Sequence, residues 1–322
     1  MKFCTVPLPS GTSCLRLIHR HPLRHRPDRS KSPDDTLIAN FTDNPAMTPH
    51  PASVSTLLAI DSHVHFHDMT DPAGLFDACL KAFRDALPHM LKARAFSGML
   101  VLTEPQSRQS FASLLALIPQ VCSAVALASW TLERTGEDIS LRAVHRSGET
   151  IFLLAGQQIV TAENLEVLSL LALPFIPDGL DLRETVRQVR LAGGLPVLPW
   201  GVGKWLGRRG KIISEFLQEP LEQPVFLGDN GGRPALWASV PQFRLAADRG
   251  VPVLRGSDPL RCSFTRRQAG SFGNLLEAPV DPQRPADSLR RALTTIDGLP
   301  AAFGRPERLL HFCKDQLALR TS

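Results

Sequence analysis

The sequence has no apolar run long enough to cross a lipid bilayer. Its longest candidates, at residues 151–155 and 168–173, fall well short of the roughly 20 residues that a transmembrane helix needs. We therefore predict no membrane span. An apolar content of 43% is nevertheless ample for the core of a globular protein.

Cysteine is also scarce, and its positions are scattered. No two of the six cysteines form a Cys-x-x-Cys pair; they are Cys4, Cys14, Cys79, Cys122, Cys262 and Cys313. This distribution excludes a cysteine zinc site and a disulfide framework, and it favours free thiols in a reducing compartment. We predict a cytoplasmic protein.

The positive charge is small and uneven. The formal charge is +5, but residues 1–46 hold seven Lys/Arg against four Asp, which leaves about +2 for the remainder. That balance argues against nucleic-acid binding. Residues 1–46 are rich in Pro, Arg and His and show no structural period, so we predict a disordered N-terminal arm before one domain at 47–322. Met47 is the expected start of translation; a targeting peptide is the alternative.

From residue 57 onward, apolar runs that are typical of strands alternate with helical segments. The predicted strands are 57–63, 96–104, 121–133, 195–201, 224–230 and 251–258, with a hairpin of two strands at 141–161. The predicted helices are 72–94, 107–118, 182–192, 211–218 and 235–249, while 164–173 fits a strand or a buried helix. This order favours a parallel sheet covered by helices.

The strand endings favour one way of arranging that sheet. LVLTE, LLAGQQ, VLPWG, FLGDN and VLRGSD each finish in polar, Gly or Trp residues. In a (β/α) barrel such endings gather at one face, whereas an open doubly wound sheet concentrates function at a single switch point. We therefore predict an α/β fold with a single, distorted (β/α) barrel.

The stretch DSHVHFHD holds three of the ten histidines of the chain and follows an apolar strand. Because side chains alternate along a strand, His63, His65 and His67 are expected on one side. Neutral imidazole is a good ligand for zinc, iron and manganese. Two of these histidines therefore predict a metal site, and the third predicts a group that orients them; solvent-exposed histidines are the simpler alternative.

The order of DSHVHFHD, LTEP, GETIFLLAGQQIV, LPVLPWG, FLGDN and RGSDPL resembles the PHP (polymerase and histidinol phosphatase) superfamily. The resemblance implies a distorted, TIM-like barrel of seven strands and metal-dependent phosphoester hydrolysis. His63 and His65 match the first two ligands of the family. The amidohydrolase superfamily, which also combines His-x-His with a late Asp, is the second resemblance.

Several family ligands are replaced in this chain. A Thr-Asp-His motif corresponds to Thr103-Glu104-Pro105, a bridging Glu to Gln158, and a His to Glu166. Further on, Trp200 stands in the Ala-His-Pro motif, and Asp258 survives without its His partner. The resemblance therefore implies one divalent ion, zinc, manganese or iron, rather than a cluster.

The predicted site residues follow from these matches. The predicted metal ligands are His63, His65, Glu104, Glu166 and Asp258, with Asp258 and Glu104 also as catalytic carboxylates.

Two basic loops predict the substrate. The stretches GVGKWLGRRGK and LRGSDPLRCSFTRR, at the carboxyl ends of two predicted strands, supply Lys204, Arg208, Arg209, Arg255 and Arg261. Such residues suit a small anionic or phosphorylated substrate.

Three functions stay open from the sequence. The first is a metal-dependent, phosphoesterase-like hydrolase. The second is an inactive barrel that binds an anionic ligand or a partner protein. The third is an amidohydrolase-like enzyme that uses one metal.

Overall fold

The computed structural model describes residues 55–173, 175–201, 203–221, 223–237, 240–260, 267–296 and 300–306, together with Leu309 and Lys314. The chain divides into two units, Met1–Pro49 and His50–Ser322. The predicted arm, residues 1–46, lies outside the described residues, as does Arg261. Within the described part of the chain, no helix is long and apolar enough to cross a membrane.

The described residues form a mixed α/β fold around one large sheet. Its strands are β1 (Ser55–Val64), β2 (Phe96–Leu102), β3 (Ala124–Leu127), β4 (Trp130–Arg134), β5 (Ser140–His145), β6 (Thr150–Val160), β7 (Glu166–Leu170), β8 (Leu195–Pro199), β9 (Phe226–Asn230), β10 (Val253–Gly256), β11 (Gly273–Pro279) and β12 (Ala301–Phe303). The α-helices are α1 (Pro72–Ala86), α2 (Ser110–Leu117), α3 (Leu182–Leu191), α4 (Gly207–Gln218), α5 (Pro241–Asp248) and α6 (Pro285–Thr294).

The main path of the sheet runs β10-β9-β8-β7-β6-β2-β1-β11-β12 among the described residues, with β3, β4 and β5 attached beside β6. β1, β2 and β6 are parallel, as are β8, β9 and β10, but β7 runs antiparallel to both of its neighbours. A TIM barrel has only parallel strands. The predicted α/β barrel is thus confirmed in its coarse form, as a nearly closed path of nine strands among the described residues, while the TIM-like, seven-stranded arrangement stays a prediction.

The apolar strands are buried on both faces, which explains why they show no alternation in the sequence. In β1, Leu58 and Ile60 pack into the cluster enclosed by the sheet, whereas Leu57 and Ala59 pack outward against α1 and α2. A third cluster joins β8 and β9 to α3, α4 and α5. The strand ends that carry polar residues are therefore held by core on both sides.

Three local predictions can be compared with the elements. The hairpin at 141–161 is confirmed as β5 and β6, and 164–173 contains a strand rather than a helix. The predicted single strand at 121–133 is a second hairpin, because Ala128 adopts the positive φ of a tight turn. The helix predicted at 235–249 begins only at Pro241, a residue suited to the first helical position.

β1 contacts two different strands along its length. Its first six residues pair antiparallel with β11. Its carboxyl end meets β10, where Ser62 Oγ donates to the carbonyl of Arg255 at 3.0 Å and the Asp258 N–H donates to the carbonyl of His63 at 2.8 Å. This contact brings β10, one end of the strand path, against β1 at the edge where the predicted ligands lie.

Gly256 makes this close approach possible. A Cβ at position 256 would overlap the backbone nitrogen and Cβ of His63.

We expect Gly256→Ala to lower the free energy of unfolding by about 1–3 kcal/mol, the usual cost of overpacking, and to weaken metal binding because His63 is displaced. Urea denaturation and metal titration measure the two effects. The matched control is Gly136→Ala, whose Cβ would lie 3.1 Å from the carbonyl of Gln283; equal losses in both variants would contradict the prediction.

Candidate metal centre

The carboxyl ends of the strands bring the predicted residues to one edge of the sheet. His63 and His65 come from the end of β1, Gln158 from β6 and Asp258 from the loop after β10. Glu166 joins them because β7 is antiparallel to β6, so the first residue of β7 lies opposite Val160 near the end of β6. The reversed strand thus contributes its beginning, rather than its end, to the same edge.

His63, His65 and Asp258 form the centre of this edge. His63 Nε2 lies 3.0 Å from His65 Nε2. Asp258 Oδ1 lies 3.7 Å from His63 Nε2 and 3.5 Å from His65 Nε2. Among the described residues, these three form a group of potential metal ligands whose atoms all lie within 4.8 Å of one another.

The spacing of these atoms fits a single small ion. Ligands about 2.1 Å from a tetrahedral ion lie about 3.4 Å from each other, close to the three distances in this group. Gln158 Oε1 adds a fourth donor atom, an oxygen 3.2 Å from His63 Nε2. Two imidazole nitrogens and two oxygens suit zinc, manganese or iron; the group offers a divalent ion one compact place.

The protonation states of the group also fit a metal. Burial, together with the nearby His63, lowers the pKa of His65 to about 3. His65 is therefore neutral at pH 7, the form that binds a metal. Burial acts to raise the pKa of Asp258, but His63, His65 and the cations Arg267 and Lys204 outweigh it, so the pKa lies below its ordinary value. Asp258 is a carboxylate at neutral pH.

Asp258 is held by both its backbone and its side chain. Its φ of 47° lies in the left-handed region, which Asp tolerates better than most residues. Asn230, at the end of β9, donates from Nδ2 to Asp258 Oδ2 at 3.0 Å and to the carbonyl of Trp200 at 2.8 Å. Only Oδ1 therefore faces the histidines. Asn230 is not among the residues predicted from the sequence, although it is the last residue of the FLGDN ending.

Asp61 is a second residue that the sequence analysis missed. Its side chain is fully buried, and its oxygens accept the backbone N–H groups of Ser257 and Gly270, each at 2.8 Å, and of His63 at 3.3 Å. It thereby fixes the loop that carries Asp258 against the strand that carries His63. A carboxylate inside an apolar strand was the available signal.

Glu104, predicted as a ligand and catalytic carboxylate, lies outside the group of His63, His65 and Asp258. Its side chain is buried; Oε1 accepts the N–H of Phe66 at 2.7 Å and Oε2 accepts the N–H of Ser110 at 2.8 Å. Ser110 is the first residue of α2, where a negative charge stabilises the free N–H groups. Glu104 therefore fixes α2 to the segment after β1.

Glu166 lies one contact away from the histidines and is not one of the grouped ligands. It accepts a hydrogen bond from Gln158 Nε2 at 3.0 Å and pairs with the Lys204 ammonium. The bond to Glu166 turns the oxygen of Gln158, and not its NH₂ group, toward His63. Glu166 thus orients Gln158 and holds Lys204 at the site.

Only part of the predicted basic set reaches this edge. Lys204 does, whereas Arg208 is exposed on α4 and Arg209 donates to the carbonyls of Gly203 and Asn164. Arg255 faces Asp229 at 3.7 Å and does not line the cavity described below, because side chains on β10 alternate and Gly256 takes the inward position.

A cavity of about 480 Å³ opens over the group. Lys204 and Arg267 bring positive charge to its wall, and Trp200 and Leu260 bring apolar surface. His67 lines it too. His67 Nδ1 accepts from Arg108 at 2.8 Å, which leaves Nε2–H to donate to the carbonyl of Pro259 at 2.7 Å. His67 is therefore held as a rim residue rather than as a ligand.

Asp61 should make stability depend on pH. Burial raises its pKa to about 6 from 3.8, so the folded chain binds a proton that the unfolded chain has lost between these values. The contribution of Asp61 to the free energy of unfolding is complete below about pH 4, falls as the pH rises to about 6, and stays constant above that pH. We expect the free energy of unfolding of the wild type, relative to Asp61→Asn, to fall by about 3 kcal/mol across this interval. Urea unfolding of both proteins from pH 4 to 7 measures it; a difference that is constant or increases would contradict the shift.

The ligand group predicts the metal content. His63→Ala combined with His65→Ala should abolish binding of the one expected ion, because two of three charged or imidazole ligands are lost. Elemental analysis and calorimetric titration with Zn²⁺ and Mn²⁺ measure it. Glu104→Gln is the control: it should lower the free energy of unfolding by about 1–3 kcal/mol through a lost N–H acceptor and leave the metal content unchanged. Loss of the metal in this control would show that Glu104 is a metal ligand.

No protein-family model matches this chain, and neither does any curated protein. Solved structures similar to it include the crystal structure of PsfC from Pseudomonas syringae PB-5123, with 14% identity and a TM-score of 0.47, covering 83% of this chain and 99% of that chain. Another is the lesion-specific endonuclease PfuEndoQ from Pyrococcus furiosus, with 10% identity and a TM-score of 0.43, covering 74% of this chain and 56% of that chain. What the site can do therefore follows from its own geometry.

Proposed function

We propose that this protein is a single-metal hydrolase of a small phosphorylated substrate. The observation that carries the proposal is the grouping of His63, His65 and Asp258 beside a cavity whose wall includes His65, Asp258, Lys204 and Arg267. A bound divalent ion would polarise the phosphoryl oxygen and lower the pKa of a water molecule. Zinc, manganese and iron all suit the two nitrogen and two oxygen donors.

The charge of the cavity supports an anionic substrate only when the ion is present. Among the described residues of its wall, Lys204 and Arg267 carry two positive charges, and Asp258 and Glu166 carry two negative charges. These charges balance without an ion. A divalent ion leaves an excess of two positive charges, which matches a phosphate dianion.

The neutral side chain of Gln158 limits the site to one ion. Two adjacent ions that clamp both the attacking and the leaving oxygen need a bridging carboxylate. The amide of Gln158 provides one oxygen and no charge, and Glu166 is occupied by Gln158 and Lys204. Turnover should therefore be slow, because only Lys and Arg side chains, and no second metal ion, are present to stabilise the charge on the leaving oxygen.

Of the two cations on the cavity wall, Lys204 is the main group that takes the place of a second metal ion. Its ammonium is paired with Glu166 and about one third exposed, so a phosphoryl oxygen can reach it. It binds the substrate and stabilises the negative charge of the leaving oxygen. Asp258, whose lowered pKa makes it a weak proton acceptor, serves through Oδ1 as a ligand.

Hydrolysis of 4-nitrophenyl phosphate with added Mn²⁺, Zn²⁺ or Fe²⁺ tests the function. We expect slow, metal-dependent turnover that falls at least 100-fold in Asp258→Asn. Lys204→Met should lower kcat/KM by about 10- to 100-fold, the value of one charge-assisted hydrogen bond. Lys81→Met is the matched control, since Lys81 lies on α1, exposed and paired with Asp85, and should leave turnover unchanged.

The other outcomes separate the alternatives. Metal binding without turnover of any phosphoester would favour a barrel that only binds an anion. Turnover of C–N substrates alone would favour an amidohydrolase-like enzyme. Two tightly bound ions per chain would contradict the single-metal site.

A further inference from the structure

A second cavity lies beside the one over the metal group. Its volume is about 210 Å³, and it shares Trp200 and Gly201 with the wall of the first cavity. Trp205 and Trp237 complete an aromatic lining. The side chain of Lys204 fills the space beside the shared Gly201, since a Cβ at position 201 would lie 2.8 Å from Lys204 Cδ. A flexible side chain, rather than backbone, therefore stands at the shared wall.

The aromatic walls are held in fixed positions. Trp200 and Trp205 are almost fully buried, and the rings of Trp200 and Trp237 meet edge to face with centroids 5.6 Å apart. The carbonyl of Trp237 accepts from Arg233 Nη1 at 2.7 Å, and the same guanidinium binds both carboxylate oxygens of Asp229, at 2.7 and 2.8 Å. An ion pair therefore anchors Trp237 next to the site, and a ligand meets a preformed surface.

Of the polar side chains that line the second cavity, Gln242 and Ser214 are engaged by the fold, and Lys211 pairs with Glu215 at 3.6 Å. Gln242 Nε2 donates to the carbonyl of Gly210 at 3.1 Å, and Ser214 Oγ donates to the same carbonyl at 3.0 Å. A side chain at Gly210 would overlap the carbonyl of Trp205. The surface left for a ligand is the indole of Trp237 with the side chains of Leu206 and Pro241, glycine backbone and the small exposed edges of Trp200 and Trp205. An apolar surface of this kind suits a flat, uncharged ring.

We propose that the second cavity is a subsite for an aromatic ring of the substrate, whose phosphoryl group occupies the first cavity. The substrate class is then an aromatic or heteroaromatic phosphate ester. This inference rests on the proposed function for the position of the phosphoryl group. The ring subsite itself depends only on the tryptophans.

Binding of phosphonates, which are not hydrolysed, tests the subsite in the metal-loaded protein. Methyl-, phenyl-, benzyl- and 2-phenylethylphosphonate are titrated by calorimetry. We expect at least one aromatic member to bind about fivefold or more tightly than methylphosphonate, the effect of one favourable ring contact. Trp237→Ala should remove this preference and Trp237→Phe should keep most of it. Leu236→Ala, which changes an exposed neighbour, should keep all of it. A preference that is absent in the wild type, or that survives Trp237→Ala, would overturn the subsite.

A second measurement keeps the two proposals apart. If no phosphonate binds, the metal-dependent function fails, and binding of phenol to the metal-free protein then decides the subsite. Ligand-observed NMR should show saturable phenol binding in the wild type and its loss in Trp237→Ala. Without saturable phenol binding the subsite is also wrong.

Discussion

The buried carboxylate of Asp61 joins three parts of the chain that are far apart in sequence. It accepts N–H groups next to itself, after β10 and before β11. A buried charge is costly unless hydrogen bonds compensate it, and these bonds form only when β1, β10 and the segment before β11 are all in place. The meeting of β1 with β10, and with it the spacing between His63 and Asp258, depends on that one side chain.

The site is built on indirect support as much as on its ligands. Asn230 leaves Asp258 one oxygen for the histidines, and Glu166 turns the Gln158 oxygen toward them. Arg108 fixes the tautomer of His67. Partners of this kind orient metal ligands and tune their basicity. The site thus consists of inner residues that can bind an ion and outer residues that orient the side chains of the inner ones.

The sequence indicated the fold class and the place of the site, because strand endings and a His-x-His after an apolar strand are local signals. It could not indicate what Glu104 does. A carboxylate that follows a strand can face the cavity or cap a helix, and the local sequence pattern is the same in both cases. β11 escaped prediction because its pairing with β1 joins residues more than 200 positions apart. Asn230 and Asp61 act through such distant contacts as well, so neither stands out in the linear chain.

The reversed direction of β7 has a consequence for how this centre could change. Gln158 and Glu166 face each other across the hairpin of β6 and β7. A substitution at either position therefore acts within this hairpin and leaves the contact between β1 and β10 in place. Replacing the amide of Gln158 by a carboxylate would set two negative charges where one hydrogen bond now stands. A proton on one carboxyl, the Lys204 ammonium already paired with Glu166, or a metal ion between the two would relieve that repulsion. The chain is therefore a single nucleotide change, CAA to GAA or CAG to GAG, from a pair of facing carboxylates at this edge of the sheet.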